Sequence, residues 1–181
     1  MAMLLGACSS LPKNSELKRE TIENFSLESR FSLSVKLPDQ APQSGGGRLS
    51  WTHRYGSNKL FIANPLGFAI AEIETTPERS VLRLSDGKIS ESPDPDLLIE
   101  EVTGQRLPVT SLAHWLLGRA HSTAHITYDA QQRPTSLVES GWQVNYQYED
   151  ESRSALPSRL TLNHKDEIEL RLRIEEWKEN P

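Results

Sequence analysis

Residues 60–71 read Leu-Phe-Ile-Ala-Asn-Pro-Leu-Gly-Phe-Ala-Ile-Ala, two apolar runs joined by Asn-Pro-Leu-Gly. Asn64 at the first position of a four-residue turn, Pro65 at the second with its φ already fixed, and Gly67 at the fourth fit a type I turn. The stretch therefore predicts two neighbouring strands joined by a tight turn, with Leu66 at the tip.

An apolar tip is unusual, because turns normally carry polar residues. Taken alone, the residues favour packing of Leu66 back onto the core. The alternative is that Leu66, together with Phe68 two residues further on, is exposed and offered to something apolar. Both interpretations remain open at this point.

A two-residue period runs through much of the rest of the chain. Apolar residues alternate with polar ones, which is typical of antiparallel strands with one buried and one wet face. The apolar positions are Phe31, Leu33, Val35 and Leu37; Leu49 and Trp51; Trp142, Val144, Tyr146 and Tyr148; and Ile168, Leu170, Leu172 and Ile174. Residues 38–47 read as a break between strands, and we expect Gly45–Gly47 to form a bulge or sharp bend.

Helical patterns occur in two places. Residues 16–24 predict a short helix, and residues 94–118 predict two more, one from Pro95 to a stop at Gly104 and one from Pro108 to a cap at Gly118. The remaining pattern gives roughly nine to eleven strands, more than a flat sheet holds without curling.

These elements together predict a mainly β (α+β) fold, a curved antiparallel incomplete β-barrel with a small helical lid around an apolar cavity. The alternative is that helices and aromatic side chains fill the interior completely. We expect the cavity to be lined by inward-facing residues of the strands and the lid: Leu33, Val35, Trp51, Ile62, Leu112, Trp115, Leu116, Trp142, Val144, Tyr146, Leu170 and Leu172.

Composition excludes several classes of function. The chain has 181 residues, which predicts one domain, and its 20 basic and 25 acidic side chains give a net charge of -5 with no basic run. Nucleic acid is therefore an unfavourable partner, and net charge gives no attraction to an anionic membrane. The single cysteine, Cys8, excludes an intramolecular disulfide and a cysteine zinc site.

Enzymatic motifs are also missing. His121 and His125 are four residues apart, but Thr123 stands where a zinc protease motif has its glutamate. No Gly-x-Ser-x-Gly sequence occurs, and the carboxylates are spread over wet strand faces and turns. We therefore expect no catalytic residues, no metal and no cofactor.

The first eight residues, Met-Ala-Met-Leu-Leu-Gly-Ala-Cys, look like the end of a bacterial lipoprotein signal. In that interpretation residues 1–8 are a truncated signal whose lipobox ends at Cys8, the lipidated residue. Residues 9–15 then form a tether, and residues 16–181 form a single half-barrel domain. The alternative is a chance Leu-Gly-Ala-Cys sequence.

The chain resembles the outer-membrane lipoprotein receptor family LolB almost from end to end. Each fragment of the resemblance is weak alone, and their order and spacing make it specific. They are Arg30-Phe31, Ser44-Gly45 with Trp51, Asn64-Pro65-Leu66-Gly67, Asp86-Gly87, Leu107-Pro108-Val109, Trp115-Leu116-Leu117-Gly118, Gly141-Trp142-Gln143-Val144-Asn145-Tyr146, Pro157-Ser158-Arg159-Leu160 and Trp177.

The resemblance implies a lipid-anchored monomer on the periplasmic face of the outer membrane. Such a protein takes lipoproteins from the soluble periplasmic carrier LolA, binds their acyl chains and inserts them into outer-membrane lipid. Leu66 matches the apolar residue of the family's membrane-insertion loop, and Phe68 makes this loop more apolar than usual. The other possibilities are a soluble carrier of the LolA type and a structural lipoprotein of envelope assembly.

Overall fold

The structure is a computed structural model that describes residues 18–121 and 123–179. Within these residues the chain forms eleven strands and two helices. The strands are β1 (Phe25–Val35), β2 (Gln43–Arg54), β3 (Ser57–Ala63), β4 (Ala69–Thr75), β5 (Ser80–Leu84), β6 (Ile89–Ser92), β7 (His125–Tyr128), β8 (Pro134–Glu139), β9 (Trp142–Gln147), β10 (Arg159–His164) and β11 (Ile168–Glu179), and the helices are α1 (Pro95–Thr103) and α2 (Val109–Trp115).

All eleven strands belong to one antiparallel sheet with the order β6-β5-β4-β3-β2-β1-β11-β10-β9-β8-β7. Strands that are neighbours in the sheet are consecutive in sequence, with one exception. β1 and β11, the first and last strands, pair with each other at the centre of the sheet. Strands β6 and β7 are the two edges, and α1 and α2 connect them. The sheet is therefore an open barrel, which confirms the predicted mainly β fold with a helical lid.

The two faces of the sheet follow the alternation in the sequence. Leu33 of β1 lies opposite Leu170 of β11, and Leu170 lies opposite Leu162 of β10, so the apolar residues share one face. That face and the two helices form a single apolar core, in which Trp51, Trp115 and Leu162 are almost completely buried.

α1 has the predicted boundaries, whereas α2 starts at Val109 and ends at Trp115, three residues before the predicted cap at Gly118. Asp94 caps α1 by accepting a hydrogen bond from the Asp96 amide at 3.0 Å, and Gly104 ends the helix with a φ of +70°. α1 packs against β4, β5, β6 and α2. Leu98 and Ile99 face inward and are buried, while Leu97 remains half exposed.

Three local predictions require correction. Residues 19–21 form a turn instead of part of a helix, because the Arg119 guanidinium takes the carbonyl oxygens of residues 19, 20 and 22 as hydrogen-bond acceptors. β2 begins at Gln43, inside the predicted break. β7 was not predicted, because its four residues are too few for the alternation of Ile126 and Tyr128 to stand out.

The glycine triplet has a different role from the one predicted. Gly45–Gly47 pair in continuous register with Leu33, Ser32 and Phe31, so β2 carries no bulge there. A Cβ on Gly47 would lie 2.1 Å from the Ala63 carbonyl oxygen, which no side chain tolerates. A register shift that bears on the site lies instead between Ile62 and Ala63, where β3 pairs with β4.

Candidate functional site

A small cavity of about 50 Å³ lies between the inner face of the sheet and the lid. Its walls come from β1–β3 and β11 on one side and from the helical segment on the other. The lining residues are Phe31, Leu49, Trp51, Leu60, Ile62, Ile99, Thr103, Leu107, Val109, Leu112, Leu170 and Leu172.

The cavity has an apolar wall. Thr103 is its single hydroxyl-bearing residue, and the Thr103 Oγ1 donates hydrogen bonds at 2.9 Å to the carbonyl oxygens of Ile99 and Gln105. The Trp51 indole N–H donates to Asn58 Oδ1 at 3.0 Å. These polar groups already have hydrogen-bond partners. A molecule bound in the cavity would therefore contact only hydrocarbon, which suits an alkyl chain.

The cavity adjoins an open cleft of about 360 Å³, and Phe31, Ile62 and Thr103 line both. The cleft lies between the C-terminal end of α1 and the ends of β1 and β2. Its other lining residues are Leu33, Val35, Gln43, Ser44, Gly45, Gly46, Ile70, Val102, Gly104 and Gln105. The absence of side chains at the glycines keeps this entrance wide.

The predicted turn lies beside this cleft. The Gly67 amide donates to the Asn64 carbonyl oxygen at 2.9 Å, and Asn64 Oδ1 accepts from the amides of Leu66 and Phe68 at 2.9 and 3.1 Å. Gly67 has a φ of +92°, which favours glycine. Asn64 thus fixes the loop internally, and the loop needs no packing from its tip.

The tip is exposed. Leu66 keeps 83% of its surface accessible and Phe68 keeps 67%. Of the two alternatives left open by the sequence, the structure therefore shows the second, an apolar tip that is not covered by the core. Ile70, beside the β3–β4 register shift, lines the cleft and so continues the apolar surface from the loop towards the cavity.

The twelve predicted cavity residues divide into two groups. Trp51, Ile62, Leu112, Leu170 and Leu172 line the cavity, and Leu33, Val35 and again Ile62 line the cleft. The other five pack in the opposite half of the core, away from both spaces: Trp115, Leu116, Trp142, Val144 and Tyr146. The enclosed space is small, because side chains of α1, α2 and the strands pack into one apolar core.

That opposite half is held by polar contacts. The buried Glu139 carboxylate accepts hydrogen bonds from the Trp115 indole N–H at 2.5 Å and from the His121 amide at 2.9 Å. The Tyr146 hydroxyl donates to the Trp115 carbonyl oxygen at 2.8 Å. Burial by itself would raise the pKa of Glu139, but the hydrogen bonds from Trp115 and His121 hold the pKa below its ordinary value.

Sequence reasoning missed several wall residues. Phe31, Leu49 and Leu60 are apolar positions of alternating strands, so the period could have identified them, and Ile99 is on the predicted lid. Ile70 had no such signal, because its position depends on the register shift in β4.

The two helices of the lid are joined to each other. Pro108 supplies no side-chain cap to α2, and instead Asp96 Oδ1 in the first turn of α1 accepts a hydrogen bond from the Val109 amide at 3.0 Å. Burial raises the pKa of Asp96. Arg106 also forms an ion pair with Asp94. α1 and α2 are therefore linked at their N-terminal ends.

The lid is fastened to the sheet by exposed contacts. Lys88 forms an ion pair with Glu101 of α1, and Ser90 Oγ donates to the same carboxylate at 3.2 Å. Exposed ion pairs of this kind contribute only about 0–1 kcal/mol each. The lid is thus held on the sheet mainly by apolar packing.

Residues 18–121 and 123–179 contain no group of three or more His, Cys, Asp or Glu side chains arranged to bind a metal ion. His121 lies next to Glu139, and His125 is on β7 and exposed, so the two histidines share no helical face. Over the same residues, no helix has the length and apolarity needed to cross a bilayer. Cys8 lies outside the described residues, as do the predicted signal and the predicted tether.

A curved open sheet closed by two helices over an apolar space is a fold also found among solved structures. A crystal structure of a LolA superfamily protein from Nitrosomonas europaea superposes with a TM-score of 0.53 at 12% identity, over 92% of this chain and 91% of that one. An outer-membrane lipoprotein LolB of Dechloromonas aromatica is 60% identical over 178 residues, 98% of this chain and 94% of the relative. One from Azoarcus sp. is 30% identical over 96% of this chain and 89% of the relative.

The family model described as outer membrane lipoprotein LolB matches residues 23–177. The chain belongs to the outer membrane lipoprotein LolB family. This membership confirms the family resemblance, and with it the expectation that the protein is not an enzyme.

Proposed function

We propose that the protein accepts lipoproteins from a soluble periplasmic carrier, the LolA protein, by enclosing their acyl chains, and then inserts them into the outer membrane. The observation that carries this proposal is the apolar cavity and its connection, through Phe31, Ile62 and Thr103, to an open cleft. A wall without free polar groups suits a ligand without polar groups. Family membership supports the lipoprotein as the molecule that supplies the chains.

Binding an acyl chain requires the lid to move. The cavity holds about 50 Å³, whereas an engineered apolar cavity of about 150 Å³ binds a molecule only as large as benzene. Few polar contacts hold the lid on the sheet, and the exposed Lys88–Glu101 ion pair is one of them. We therefore propose that α1 and the segment joining it to α2 move away from the sheet while the Trp115 end of α2 stays hydrogen-bonded to Glu139, and that the acyl chain replaces the contacts of α1 with the inner face.

The transfer needs no chemical energy. Exposing a long acyl chain to water costs on the order of 10 kcal/mol, at about 0.8 kcal/mol per methylene, so the chain must remain covered at every step. The 181 residues contain no Walker-type nucleotide loop. Transfer from carrier to cavity to bilayer must then run downhill, each site binding the chain better than the one before.

Release into the membrane is assigned to the exposed loop. Leu66 and Phe68 present apolar surface on a turn that Asn64 stabilises internally, so the loop can enter a bilayer without unfolding. Insertion of this loop would bring the neighbouring cleft to the membrane. The acyl chain would then leave along Ile70 into lipid.

The anchor belongs to the same proposal. Lipidation of Cys8, with residues 1–8 as the signal segment and 9–15 as the tether, would hold the half-barrel domain of residues 16–181 at the periplasmic face of the outer membrane. We propose that the protein acts there as a monomer, because one chain contains the cavity, the cleft and the loop.

The test is binding of a fluorescent fatty acid to Ile62→Trp, which places a larger side chain where cavity and cleft meet. The matched control is Ile89→Trp, since Ile89 is 61% exposed on the edge strand β6. We expect Ile62→Trp to lower the affinity at least ten-fold and the control to leave it unchanged, with circular dichroism verifying that both fold. If both variants and the wild type bind the fatty acid equally well, the cavity is not the binding site.

The shared fold also favours a second candidate, a soluble carrier of the LolA type. The two functions differ in the anchor. Intact-mass measurement of the protein from its native envelope decides between them: acylation at Cys8 supports the membrane-bound acceptor, and an unmodified thiol supports the carrier.

A further inference from the structure

The polar face of the sheet carries arginines from strands that are distant in sequence. Arg48 of β2 lies opposite Arg30 of β1, Arg30 lies opposite Arg173 of β11, and Arg173 lies opposite Arg159 of β10. One cross-strand row of four arginines thus spans four neighbouring strands, a distance of about 14 Å at the usual strand spacing. Arg171 lies two residues along β11 on the same face. We call these five residues the arginine row.

The arginine row is only partly neutralised. Arg30 forms an ion pair with Glu175 at 2.7 Å, and Arg171 forms one with Glu169 at 3.0 Å. For Arg48, Arg159 and Arg173, no carboxylate of the described residues lies within ion-pair distance. The nearby Glu28 accepts a hydrogen bond from Ser50, and Glu176 pairs with Lys178. Three positive charges therefore remain, on a protein whose net charge is -5.

Folding does not account for this arrangement. Like charges directly opposite each other on neighbouring strands destabilise a sheet. All five arginines are exposed, so none serves as core packing. A row of this kind is what a binding surface for an anion requires.

The surroundings of the row suit phosphate. Arg30, Arg159, Arg171 and Arg173 line a shallow groove of about 490 Å³, which also contains Ser32, Thr161 and Gln147. Guanidinium groups bind phosphate oxygens through pairs of parallel N–H donors, and hydroxyl and amide groups can supply further donors. No acidic side chain lines the groove.

We propose that the arginine row binds the phosphate groups of anionic phospholipids at a membrane surface. The row favours a membrane over a protein partner because it begins beside the exposed loop. Arg48 lies opposite Ala63, and Ala63 immediately precedes the Asn64–Gly67 turn with its apolar tip. Positive charge next to exposed apolar residues is the combination with which peripheral proteins bind bilayers. This surface is separate from the cavity and acts without cargo.

The test uses the full chain with Cys8→Ser, which cannot be lipidated, in sedimentation with vesicles of phosphatidylethanolamine containing or lacking phosphatidylglycerol. The variant is Arg48→Gln/Arg159→Gln/Arg173→Gln. Its matched control, Arg79→Gln/Arg153→Gln/Lys165→Gln, removes three exposed positive charges elsewhere. One basic residue near an anionic surface contributes about a five-fold change in affinity, so the row variant should bind anionic vesicles about 100-fold more weakly.

The control should bind anionic vesicles within about three-fold of the parent, and the parent should lose binding in high salt. Thermal unfolding verifies folding, and the row variant should be at least as stable as the parent. Equal losses in both triple variants would overturn the proposal, as would vesicle binding that ignores phosphatidylglycerol. Two further results would also overturn it. The first is a parent protein that binds inorganic phosphate saturably but does not bind vesicles. The second is a row variant that binds vesicles normally but no longer accepts cargo from an acidic carrier.

Discussion

The two halves of the core are built from similar apolar residues but are held together differently. Around β8–β10 and the C-terminal end of α2, Trp115 donates a hydrogen bond to the buried Glu139 carboxylate, and Trp115 and Trp142 pack with ring centroids 6.3 Å apart. Around β1–β3, β11, α1 and the start of α2, apolar side chains enclose a small cavity, and the buried hydrogen bond from Trp51 to Asn58 holds one wall residue in place. We refer to these as the fixed half and the cavity half.

The difference indicates which half of the core can change its packing to admit a ligand. Buried hydrogen bonds are directional and costly to break, so the fixed half has one arrangement. Apolar contacts are not directional, and an acyl chain can replace them at little cost. One half can thus serve as the frame and the other as the site.

The largest effect is expected from Trp115→Ala in the fixed half. The change removes a completely buried indole and the hydrogen bond to Glu139. We expect a loss of about 3–5 kcal/mol in the free energy of unfolding, measured by urea denaturation. A loss below about 1 kcal/mol would show that this half is not fixed.

A matched pair of enlargements compares the halves directly. Val144→Phe in the fixed half should cost about 1–3 kcal/mol, because no space receives the ring. Leu112→Phe in the cavity half should cost less, since Leu112 lines the cavity, and should weaken fatty-acid binding. Equal costs in urea denaturation would mean that the halves are packed alike.

Acid should weaken the fixed half through Glu139. Its pKa is lower in the folded protein than its ordinary value of 4.5, so the carboxylate stabilises the fold above pH 4.5, and this contribution is lost as the pH falls through the folded-state pKa. We expect unfolding free energy to decline more steeply below pH 4.5 in the wild type than in Glu139→Gln. Parallel pH profiles would exclude this role for Glu139.

The smallest effect on stability is expected from Leu66→Glu, at most about 0.5 kcal/mol, because the side chain is exposed and Asn64 holds the turn. The variant should still bind fatty acid but fail to insert a lipoprotein into liposomes. Ile89→Glu, at another exposed apolar position, is the control for the added negative charge. Normal insertion by Leu66→Glu would leave the loop without its proposed role.

The sequence predicted the architecture because alternation and capping are local signals. Pro95 and Gly104 bound α1 closely, and Asn64–Gly67 form the predicted turn. The prediction of an N-terminal helix was wrong because Arg119, about a hundred residues away, donates hydrogen bonds to the carbonyl oxygens of this segment. A local pattern carries no information on such a contact.

The candidate site was less predictable. Alternation tells which residues face inward, but the division between cavity half and fixed half depends on how α1 and α2 are placed over the sheet. The arginine row has no sequence signature either, because Arg48, Arg159 and Arg173 meet only through strand register. The net charge of -5 also gives no indication of this local cluster of positive charge.

The central claim is that the cavity half receives an acyl chain while the fixed half does not change. Intermolecular NOEs between a fatty acid and protein labelled at its isoleucine and valine methyl groups test this directly. The account predicts NOEs to Ile62 and Ile99 on the cavity wall and none to Val144 in the fixed half. NOEs confined to surface residues, or NOEs to Val144 without Ile62 and Ile99, would contradict it.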